Sequence, residues 1–499
     1  MLPQTQKYAK PTFVLVLLMA ALWRFWALPY SPLPWFDETF FASITHSFIH
    51  GEGFHLAVCP LQTNGEQVLI YGPIYFLLTG LITKTLGFGL FSFRLANLLG
   101  AIVSIFLFSR IIKKLGWRST TLYLMTILLA FDVIFLQNAH SGRMDLVALA
   151  FFLGAINLHL TGHSSIKQHL FIALLGTLAV LTTLRIAIMV LPFFALVFFT
   201  NIKNKQYQQA ATLLITSVLL YAIWIGIGFG SLSNFLAAYT QNRTGPETNH
   251  TLISSFLGGN LSIPFHQYPM VALGLLSIAL LFKQHYQQQK FWLILLPIPF
   301  FYLLVKDTGA YSALVVPFWY LIIGMAFEKQ AKSNTSYLNR LTTFVAIALL
   351  LGVNGGIFLL KSATIATTIP QRNNKQLTAW VSEHLPAQSR VVGDDRFYYA
   401  VINNHSDFQY IQRVQSNEAR ALYHKEEFQP NYLFISSQTT PDIIEAYKQH
   451  FVFGDTFTYT PITQQNLVTI LIQKLPMQIH TSLEGTLIQV TPKKILESN

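Results

Sequence analysis

The chain has 499 residues, of which 52% are hydrophobic, 14% aromatic and only 11% charged, and its mean hydropathy is +0.44. Soluble domains carry about 25% charged residues, so this composition excludes an ordinary soluble protein and predicts an all-α polytopic membrane protein. The net charge of +12 lies mostly in short loops between apolar segments, where it sets membrane topology and does not indicate a nucleic-acid partner. The one cysteine excludes an internal disulfide framework.

The apolar segments predict about 11 transmembrane helices, since each needs about 20 residues. Lys7 and Lys10 precede the first helix and place the N-terminus in the cytoplasm. Residues 70–88 are also apolar, but if they crossed the bilayer the basic cluster at 110–118 would face outward, against the positive-inside rule. We therefore expect 70–88 to lie in the outer interface or to be re-entrant. The predicted spans are 12–30, 93–112, 120–138, 144–161, 168–184, 186–200, 208–228, 268–283, 291–305, 311–327 and 341–361.

The predicted organisation is a transmembrane domain over residues 1–362, with an outer loop at 31–92, and a small soluble α/β domain over residues 363–499. The second part contains 12 of the 21 acidic residues. Because it follows an odd number of predicted spans, it lies on the outer side. Its pattern predicts one helix and three strands, at Gln376–His384, Arg390–Gly393, Tyr432–Ile435 and Leu467–Ile472.

Two adjacent carboxylates, Asp37 and Glu38, follow the first span. Ionisable groups at membrane depth are costly and usually functional, and residues 1–330 contain only four aspartates and five glutamates. A carboxylate at this position can accept a proton from an acceptor hydroxyl or amine, bind a metal, or cap a helix that begins near Thr39. The flanking aromatic residues favour a role toward a lipid-borne substrate, because they would hold the acids against the membrane.

Three further motifs fall at the same predicted outer boundary, and each has a structural alternative. In Tyr71-Gly72-Pro73-Ile74-Tyr75 the Gly-Pro pair breaks a helix and brings backbone close to a neighbour, although a plain turn would also need it. Arg143 and Asp145 in Ser141-Gly142-Arg143-Met144-Asp145 form a functional pair, or else a surface salt bridge or an Asp at a helix N-terminus. Lys306, which precedes Tyr311, either binds a lipid phosphate as a point charge or extends to lipid headgroups.

Other ionisable groups leave several alternatives open. Arg94 and Arg185 lie at outer boundaries and would bind phosphate or position the protein among anionic lipids. His46 and His50 are four residues apart, so a zinc site competes with ordinary interfacial histidines. Asp132 lies inside a predicted span and needs a partner. The chain has no Gly-rich phosphate loop of the nucleotide-binding patterns, which argues against nucleotide use.

One topology, derived from the positive loops, places these charged groups on a single face. Acids and bases together at the outer leaflet suit the transfer of a group from a phosphate-linked lipid donor. The residues that fall on this face are Asp37, Glu38, Arg143, Asp145, Arg185 and Lys306.

The order of these motifs resembles that in the GT-C glycosyltransferases that use polyprenyl-phosphate sugars, and most closely the superfamily of protein O-mannosyltransferases and aminoarabinose-lipid A transferases. The resemblance covers about residues 12–325. The order of the motifs along the chain is a specific signal, although each motif alone is not. It rests on Arg24, Trp35-Phe36-Asp37-Glu38, Tyr71-Gly72-Pro73-Ile74-Tyr75, Phe93-Arg94-Leu95, Ser141-Gly142-Arg143-Met144-Asp145, and the succession of Lys306, Tyr311 and Pro317.

The resemblance implies a GT-C membrane core with a soluble outer domain and an inverting sugar transfer. Asp37 would be the general base that deprotonates the acceptor, and Glu38 would assist it or position the acceptor. Cations would meet the negative charge of the leaving polyprenyl phosphate. For this we name Arg143, Arg185, Lys306 and Arg94. Residues expected to position the substrates are Tyr71, Pro73, Tyr75, Asp145 and Tyr311.

The chain departs from the family pattern at two places. Many relatives have Lys-Pro or Pro-Pro where this chain has Gly72-Pro73, and the glutamate before that pair in the aminoarabinose transferases corresponds to Tyr71. A threonine-lysine pair in the fifth-span region corresponds to Leu184-Arg185, which keeps only the charge. We therefore predict no metal site of their kind, while a divalent metal stays open.

The alternative functions are a transporter or flippase of lipid-linked sugars and a non-catalytic scaffold that displays the C-terminal domain. Transporters tend to show repeats and broken helices at mid-membrane, whereas here the charges gather at one face and the sequence shows no repeat. The expected partners are a polyprenyl-phosphate sugar, an acceptor lipid, glycan or protein, and the bilayer. We expect a bacterial inner membrane with a periplasmic active site, because the C-terminal domain lacks features of eukaryotic protein mannosyltransferases.

Overall fold

The protein is described by a computed structural model that covers residues 3–63, 67–162, 164–244, 267–305, 311–332, 337–412, 416–461 and 482–493. Lys306 and the strand predicted at 467–472 lie outside these described residues. Helices make up most of the chain before residue 368, and a sheet follows it. The helices of this first part are α1 Pro3–Ala27, α2 Phe36–Ile49, α3 Ile74–Leu86, α4 Leu90–Lys114, α5 Ser119–Phe131, α6 Val133–Ala139, α7 Asp145–His159, α8 Ile166–Thr182, α9 Ala187–Lys203, α10 Tyr207–Phe229, α11 Leu232–Thr244, α12 Tyr268–His285, α13 Gln289–Leu295, α14 Pro297–Leu304, α15 Val316–Lys332 and α16 Tyr337–Thr367.

Six helical segments in the described part of the chain are long and apolar enough to cross a membrane. The pair α5 and α6, bent by 57° at Asp132, gives a seventh if it counts as one span. The expected count of about 11 spans is therefore not confirmed, since several predicted spans correspond to shorter or interrupted helices. The six segments are Ala9–Ala27, Leu90–Lys114, Leu184–Lys203, Tyr207–Phe229, Ser312–Ala331 and Ile347–Thr367.

The bend between α5 and α6 is where Asp132 finds its partners. Its side chain caps α6 by accepting a hydrogen bond from the Phe135 amide at 2.9 Å. Its other oxygen accepts one from the Tyr320 hydroxyl at 2.9 Å, and that hydroxyl accepts one from the Asn354 amide at 3.1 Å. A buried carboxylate in a span must be satisfied locally, and here it marks the break in the span.

Helix α3 is too short to cross a bilayer alone. Its 13 residues extend about 20 Å at 1.5 Å per residue, against a hydrocarbon core of about 30 Å. It begins directly after Pro73, and it buries Tyr75 and Phe76 against neighbouring helices. These dimensions agree with the expectation that 70–88 does not span the membrane.

The C-terminal part is a five-stranded sheet with flanking helices. Strands β1 Arg390–Gly393, β2 Asp407–Tyr410 and β3 Tyr432–Ile435 are parallel neighbours, while β4 Phe451–Tyr459 and β5 Gly485–Pro492 are antiparallel additions. The strand order is β2-β1-β3-β5-β4. The strands predicted at 390–393 and 432–435 are confirmed, as is the helix predicted at 376–384. The helices of this part are α17 Asn374–His384, α18 Tyr398–Ile402, α19 Asn417–Tyr423 and α20 Pro441–His450.

The sheet packs directly on the helix that carries the acidic pair. The hydroxyls of Tyr410, at the end of β2, and Thr39 in α2 are 2.7 Å apart. The Tyr410 amide donates to the carbonyl of Val58 at 3.0 Å. One continuous apolar core contains residues of the outer loop, such as Phe41, and of the C-terminal part, such as Phe408. Helix α16 continues to Thr367, past the boundary predicted at residue 362, and connects the two parts.

The packing of the turn before α3 predicts that Gly72 and Gly87, the glycines before and after this helix, lose different amounts of stability when each is replaced by alanine. Gly72 has φ +80°, and a Cβ there would overlap the backbone carbonyl of Leu181, with its carbon only 2.7 Å away. Gly87 has φ +85° with nothing within 4 Å. Gly72→Ala should therefore destabilise the fold by more than about 1 kcal/mol and by clearly more than Gly87→Ala, which carries the same backbone strain without the clash. Thermal unfolding in detergent measures both, and equal midpoints would contradict the close packing at Gly72.

Candidate active site

The first turn of α2 places Asp37 and Glu38 on different sides of the helix. The helix begins at Phe36, and Trp35 occupies the N-cap position without a side-chain hydrogen bond. Successive residues in a helix are about 100° apart, so the two carboxylates point in different directions. Asp37 does not cap the helix, because its carboxylate contacts Arg143 instead.

Glu38 is fully buried in an ion pair with Arg94. The two side chains form two parallel hydrogen bonds, Nε to Oε1 at 2.6 Å and Nη2 to Oε2 at 2.7 Å. The Gly142 amide also donates to Oε1 at 2.9 Å, and Nη1 of Arg94 donates to the carbonyl of Leu28 at 2.8 Å. Paired, charge-assisted hydrogen bonds of this kind are strong and directional. Glu38 thus connects α2 to α4 and to the turn after α6.

The turn after α6 has a glycine, Gly142, at a position where no side chain fits. A Cβ on Gly142 would overlap the ring of Phe93 and come within 2.9 Å of Cγ of Glu38. Asn97 fixes the same turn from α4: its amide donates to the Ser141 carbonyl at 3.2 Å, and its carbonyl accepts from the Leu146 amide at 3.1 Å. The backbone from 141 to 146 is therefore held against α4, which determines where Arg143 points.

Arg143 lies between two carboxylates. Its Nε donates to Oδ2 of Asp145 at 2.7 Å, and its Nη1 contacts Oδ2 of Asp37. Only 3% of the Arg143 side chain is exposed, against 32% for Asp37 and 1% for Asp145. Burial lowers the pKa of Arg143, but the carboxylates of Asp145 and Asp37 raise it by more, so the net pKa lies above its ordinary value. This pair is buried, so it is not a surface salt bridge, whereas Asp145 does lie in the first turn of α7, as the alternative of an acid at a helix N-terminus predicts.

An aromatic ring joins a second arginine to this group. Tyr311 has the guanidinium carbon of Arg143 at 4.5 Å and that of Arg185 at 3.7 Å from its ring centroid. The guanidinium carbon of Arg143 also lies 5.6 Å from the centroid of the Trp35 ring. Cation–π contacts of this kind orient guanidinium groups without using their N–H donors. Arg185 is half-buried, and its guanidinium makes no hydrogen bond to the residues that the structure describes.

The structure brings together only some of the predicted site residues. Asp37, Arg143, Asp145, Tyr311 and Arg185 form one cluster, called here the Asp37 cluster. Around it lie the residues that shape the surrounding backbone and packing. Tyr71 packs on Phe41 at 5.1 Å between ring centroids, Pro73 precedes α3, Tyr75 is buried against Phe93 at 6.0 Å, and Glu38 and Arg94 pair with each other.

Sequence reasoning missed Asn97 and the contact of Trp35 with Arg143. Asn97 lies three residues after Arg94 on α4 and is fully buried. A buried side-chain amide inside an apolar run is costly unless it is hydrogen-bonded, and this rule, applied to the predicted span, would have found Asn97.

The zinc site considered at His46 and His50 would need further ligands. The rings of His46 and His50 are 4.2 Å apart. Within the described ranges, no group of three or more His, Cys, Asp or Glu side chains could hold a metal ion.

The fold is similar to that of solved membrane glycosyltransferases. ArnT from Cupriavidus metallidurans in the apo state matches with a TM-score of 0.60 at 14% identity, over 89% of this chain and 96% of ArnT. The same protein bound to undecaprenyl phosphate matches with a TM-score of 0.59 at 13% identity, over 95% of this chain and 97% of ArnT. The archaeal oligosaccharyltransferase AglB from Archaeoglobus fulgidus, in complex with an inhibitory peptide and a dolichol-phosphate, has a TM-score of 0.50 at 14% identity, over 98% of this chain and 77% of AglB.

No protein-family profile matches this chain, and a search of curated proteins finds no match. The structural similarity nevertheless extends over nearly the whole of both chains in ArnT. The predicted resemblance to the GT-C glycosyltransferases is therefore confirmed for the fold.

The geometry predicts that Glu38 is needed for folding. Glu38→Gln would leave the Arg94 guanidinium buried without its counter-charge, and breaking a buried pair in this way costs about 3–5 kcal/mol. We expect a strongly lowered midpoint of thermal unfolding in detergent. Glu52→Gln is the matched control, because Glu52 is exposed in the same outer loop, and its midpoint should not change.

Adding Arg94→Gln to Glu38→Gln should cost less than the sum of the two single variants, because the double variant leaves no unpaired charge. Strictly additive losses, or a Glu38→Gln variant as stable as wild type, would contradict the structural role of this pair.

Proposed function

We propose that this protein is an integral membrane glycosyltransferase that moves a sugar from a polyprenyl-phosphate donor to an acceptor at the outer face of the membrane. The observation that carries the proposal is the Asp37 cluster: a partly exposed carboxylate beside two arginines at the outer ends of apolar helices. The fold similarity to ArnT bound to undecaprenyl phosphate supports a lipid-phosphate donor. The predicted setting, a bacterial inner membrane with the site facing the periplasm, belongs to the same proposal.

Asp37 is the carboxylate suited to be the general base. Of the three acids in this region, Glu38 and Asp145 are buried, whereas Asp37 is 32% exposed. Arg143 contacts its Oδ2, and its Oδ1 has no hydrogen-bond partner among the residues that the structure describes. A general base must reach the proton that it removes, and the free oxygen of Asp37 can reach an acceptor that approaches from the outer side.

The proposed step is an inverting displacement at the anomeric carbon of the sugar. The acceptor oxygen or nitrogen forms the new bond to this carbon as its proton passes to Asp37. The bond from the anomeric carbon to the phosphate oxygen breaks, and the electron pair leaves with the polyprenyl phosphate. Asp37 and the leaving phosphate must then lie on opposite faces of the sugar.

Arg185 is suited to meet the negative charge that develops on the phosphate. The charge of Arg143 is already balanced by Asp37 and Asp145, whereas Arg185 contacts the ring of Tyr311 and forms no ion pair within the described ranges. Donors held in place before the reaction are effective where charge develops. The same role for Lys306 stays a prediction.

For Glu38 and Arg94 we propose a positioning role in place of direct substrate contact, because their donors and acceptors are used by each other and by the backbone. Tyr75 and Pro73 would act in the same indirect way by fixing α3. The domain at 363–499 would help to shape the acceptor side, since β2 ends on α2 close to Asp37.

Asp37→Asn tests the function. We expect transfer to fall by about 10²–10⁴-fold, the usual contribution of a general base, while the fold persists because Arg143 retains Asp145. Mass spectrometry of membranes that carry wild type or the variant should show one polyprenyl-phosphate sugar accumulating and one glycan lacking that sugar. Glu52→Gln should leave both pools unchanged.

If neither pool changes in membranes that contain folded Asp37→Asn, the transferase proposal fails. If the donor becomes trapped on the inner leaflet in the variant without loss of in vitro transfer, the alternative of a flippase is favoured instead.

Arg185→Gln tests the phosphate contact. Loss of one charge-assisted hydrogen bond of about 1.5–3 kcal/mol should lower kcat/KM for the donor by about 10- to 100-fold, with little effect on the acceptor KM. Arg110→Gln is the control, because Arg110 is exposed near the C-terminal end of α4, opposite to the end that carries Arg94. Unchanged donor kinetics in Arg185→Gln would remove Arg185 from the site.

A further inference from the structure

A second group of basic side chains, two of them cations and one a neutral imidazole, lies near the Glu38–Arg94 pair. Arg24, near the end of α1, and His140, in the turn after α6, are buried. Lys361 on α16 is half-buried. Trp23 joins them, because its ring stacks on His140 at 5.3 Å and packs on Phe358, one turn before Lys361, at 4.6 Å. Arg24, His140 and Lys361 are called here the basic pocket.

The charge of the basic pocket is not balanced from within the described part of the chain. The charges that act on Lys361 are those of Arg372, Arg94 and Arg24, all of them cations. Arg94 is neutralised by Glu38. Burial lowers the pKa of His140 well below its ordinary value, and the cations of Lys361, Arg24 and Arg94 lower it further. A buried positive charge without a counter-ion is costly, so the pocket favours an anion.

Some hydrogen-bond donors of the pocket have no partner in the part of the chain that the structure describes. One amino group of Arg24 donates to the carbonyl of Ala130, but the Nε of Arg24 and the Nε1 of Trp23 make no hydrogen bond among these residues. The His140 ring interacts with the backbone of Ser31. Buried donors are nearly always satisfied in native proteins. Unsatisfied donors that surround an excess of positive charge fit the oxygen atoms of a phosphate.

The surfaces around the pocket favour a lipid as the source of such a phosphate. The surfaces of α1 and α16 beside the pocket are apolar and exposed, as an acyl or prenyl chain requires. Aromatic residues mark the same end of α1, as at membrane interfaces. The exposed side chains are Leu22, Trp26, Leu359 and Leu360.

We propose that the basic pocket binds the phosphate headgroup of a membrane lipid, at a site separate from the Asp37 cluster. The lipid headgroup would supply the negative charge that the described part of the chain does not provide. The site would thereby fasten α16, and with it the C-terminal domain that follows, to α1. The inference depends on the membrane location and not on sugar transfer.

Native mass spectrometry of the full-length protein released from detergent tests the proposal. The probes are phosphatidylglycerol, a polyprenyl phosphate, phosphatidylcholine and inorganic phosphate. Wild type should retain an anionic lipid, and Lys361→Gln should weaken its binding by about tenfold, the effect of one charge-assisted contact. Lys361→Arg should bind as wild type does. Lys84→Gln, which removes an exposed lysine of α3, should also bind normally.

The probes separate the possible sources of the phosphate. Preference for phosphatidylglycerol or for the polyprenyl phosphate would identify the lipid class, and either supports the proposal. Equal binding to wild type and Lys361→Gln, or equal binding of phosphatidylcholine and phosphatidylglycerol, would overturn it, as would capture of inorganic phosphate alone. Asp37→Asn should bind lipid normally, so failure of this site and failure of the transferase proposal are distinguishable.

Discussion

The buried ion pair between Glu38 and Arg94 is the interaction on which the arrangement of the Asp37 cluster depends. It connects the first turn of α2 to α4 and, through the amide of Gly142, to the turn that presents Arg143. A buried ion pair contributes little net stability over an apolar pair, but losing one partner is expensive. Its effect is therefore to fix geometry: with Glu38 held inward, the adjacent Asp37 points toward Arg143 and is partly exposed.

The two neighbouring acids occupy different environments within one short segment. Glu38 is bonded to Arg94 and to the Gly142 amide, whereas Asp37 has one oxygen held by Arg143 and one without a partner among the described residues. Arg143 is in turn fixed by Asp145 and by the rings of Trp35 and Tyr311. The protein itself thus holds the cluster in place, which is what the proposed transfer requires of groups that stabilise a transition state. The packing of β2 on α2 adds a further constraint on the same segment.

The sequence predicted that Asp37, Arg143, Arg185 and Tyr311 lie close together. The basic residues in the loops determine the predicted topology, and this topology places all four residues at one face of the membrane. Strands β1 and β3 were also predictable from short runs of β-branched and aromatic residues. The different environments of Asp37 and Glu38 were not predictable, because they depend on α2 beginning at Phe36, which sets the direction of each side chain. The contact between Thr39 and Tyr410 joins residues 371 positions apart, and no local pattern indicates it. The bend at Asp132 within the predicted span 120–138 was not predictable either, because it depends on the hydrogen bonds that Asp132 makes with Phe135 and Tyr320.

The central claim is that the sugar donor binds on the Asp37 side of the Glu38–Arg94 pair. An electron cryomicroscopy structure of Asp37→Asn with a bound polyprenyl-phosphate sugar tests it most directly, because the variant should bind the donor without consuming it. The account predicts that the phosphate contacts Arg185 and that the anomeric carbon faces position 37, with the phosphate on its far side. A sugar bound beyond Arg94, in the basic pocket, or a phosphate that does not contact Arg185 would contradict it.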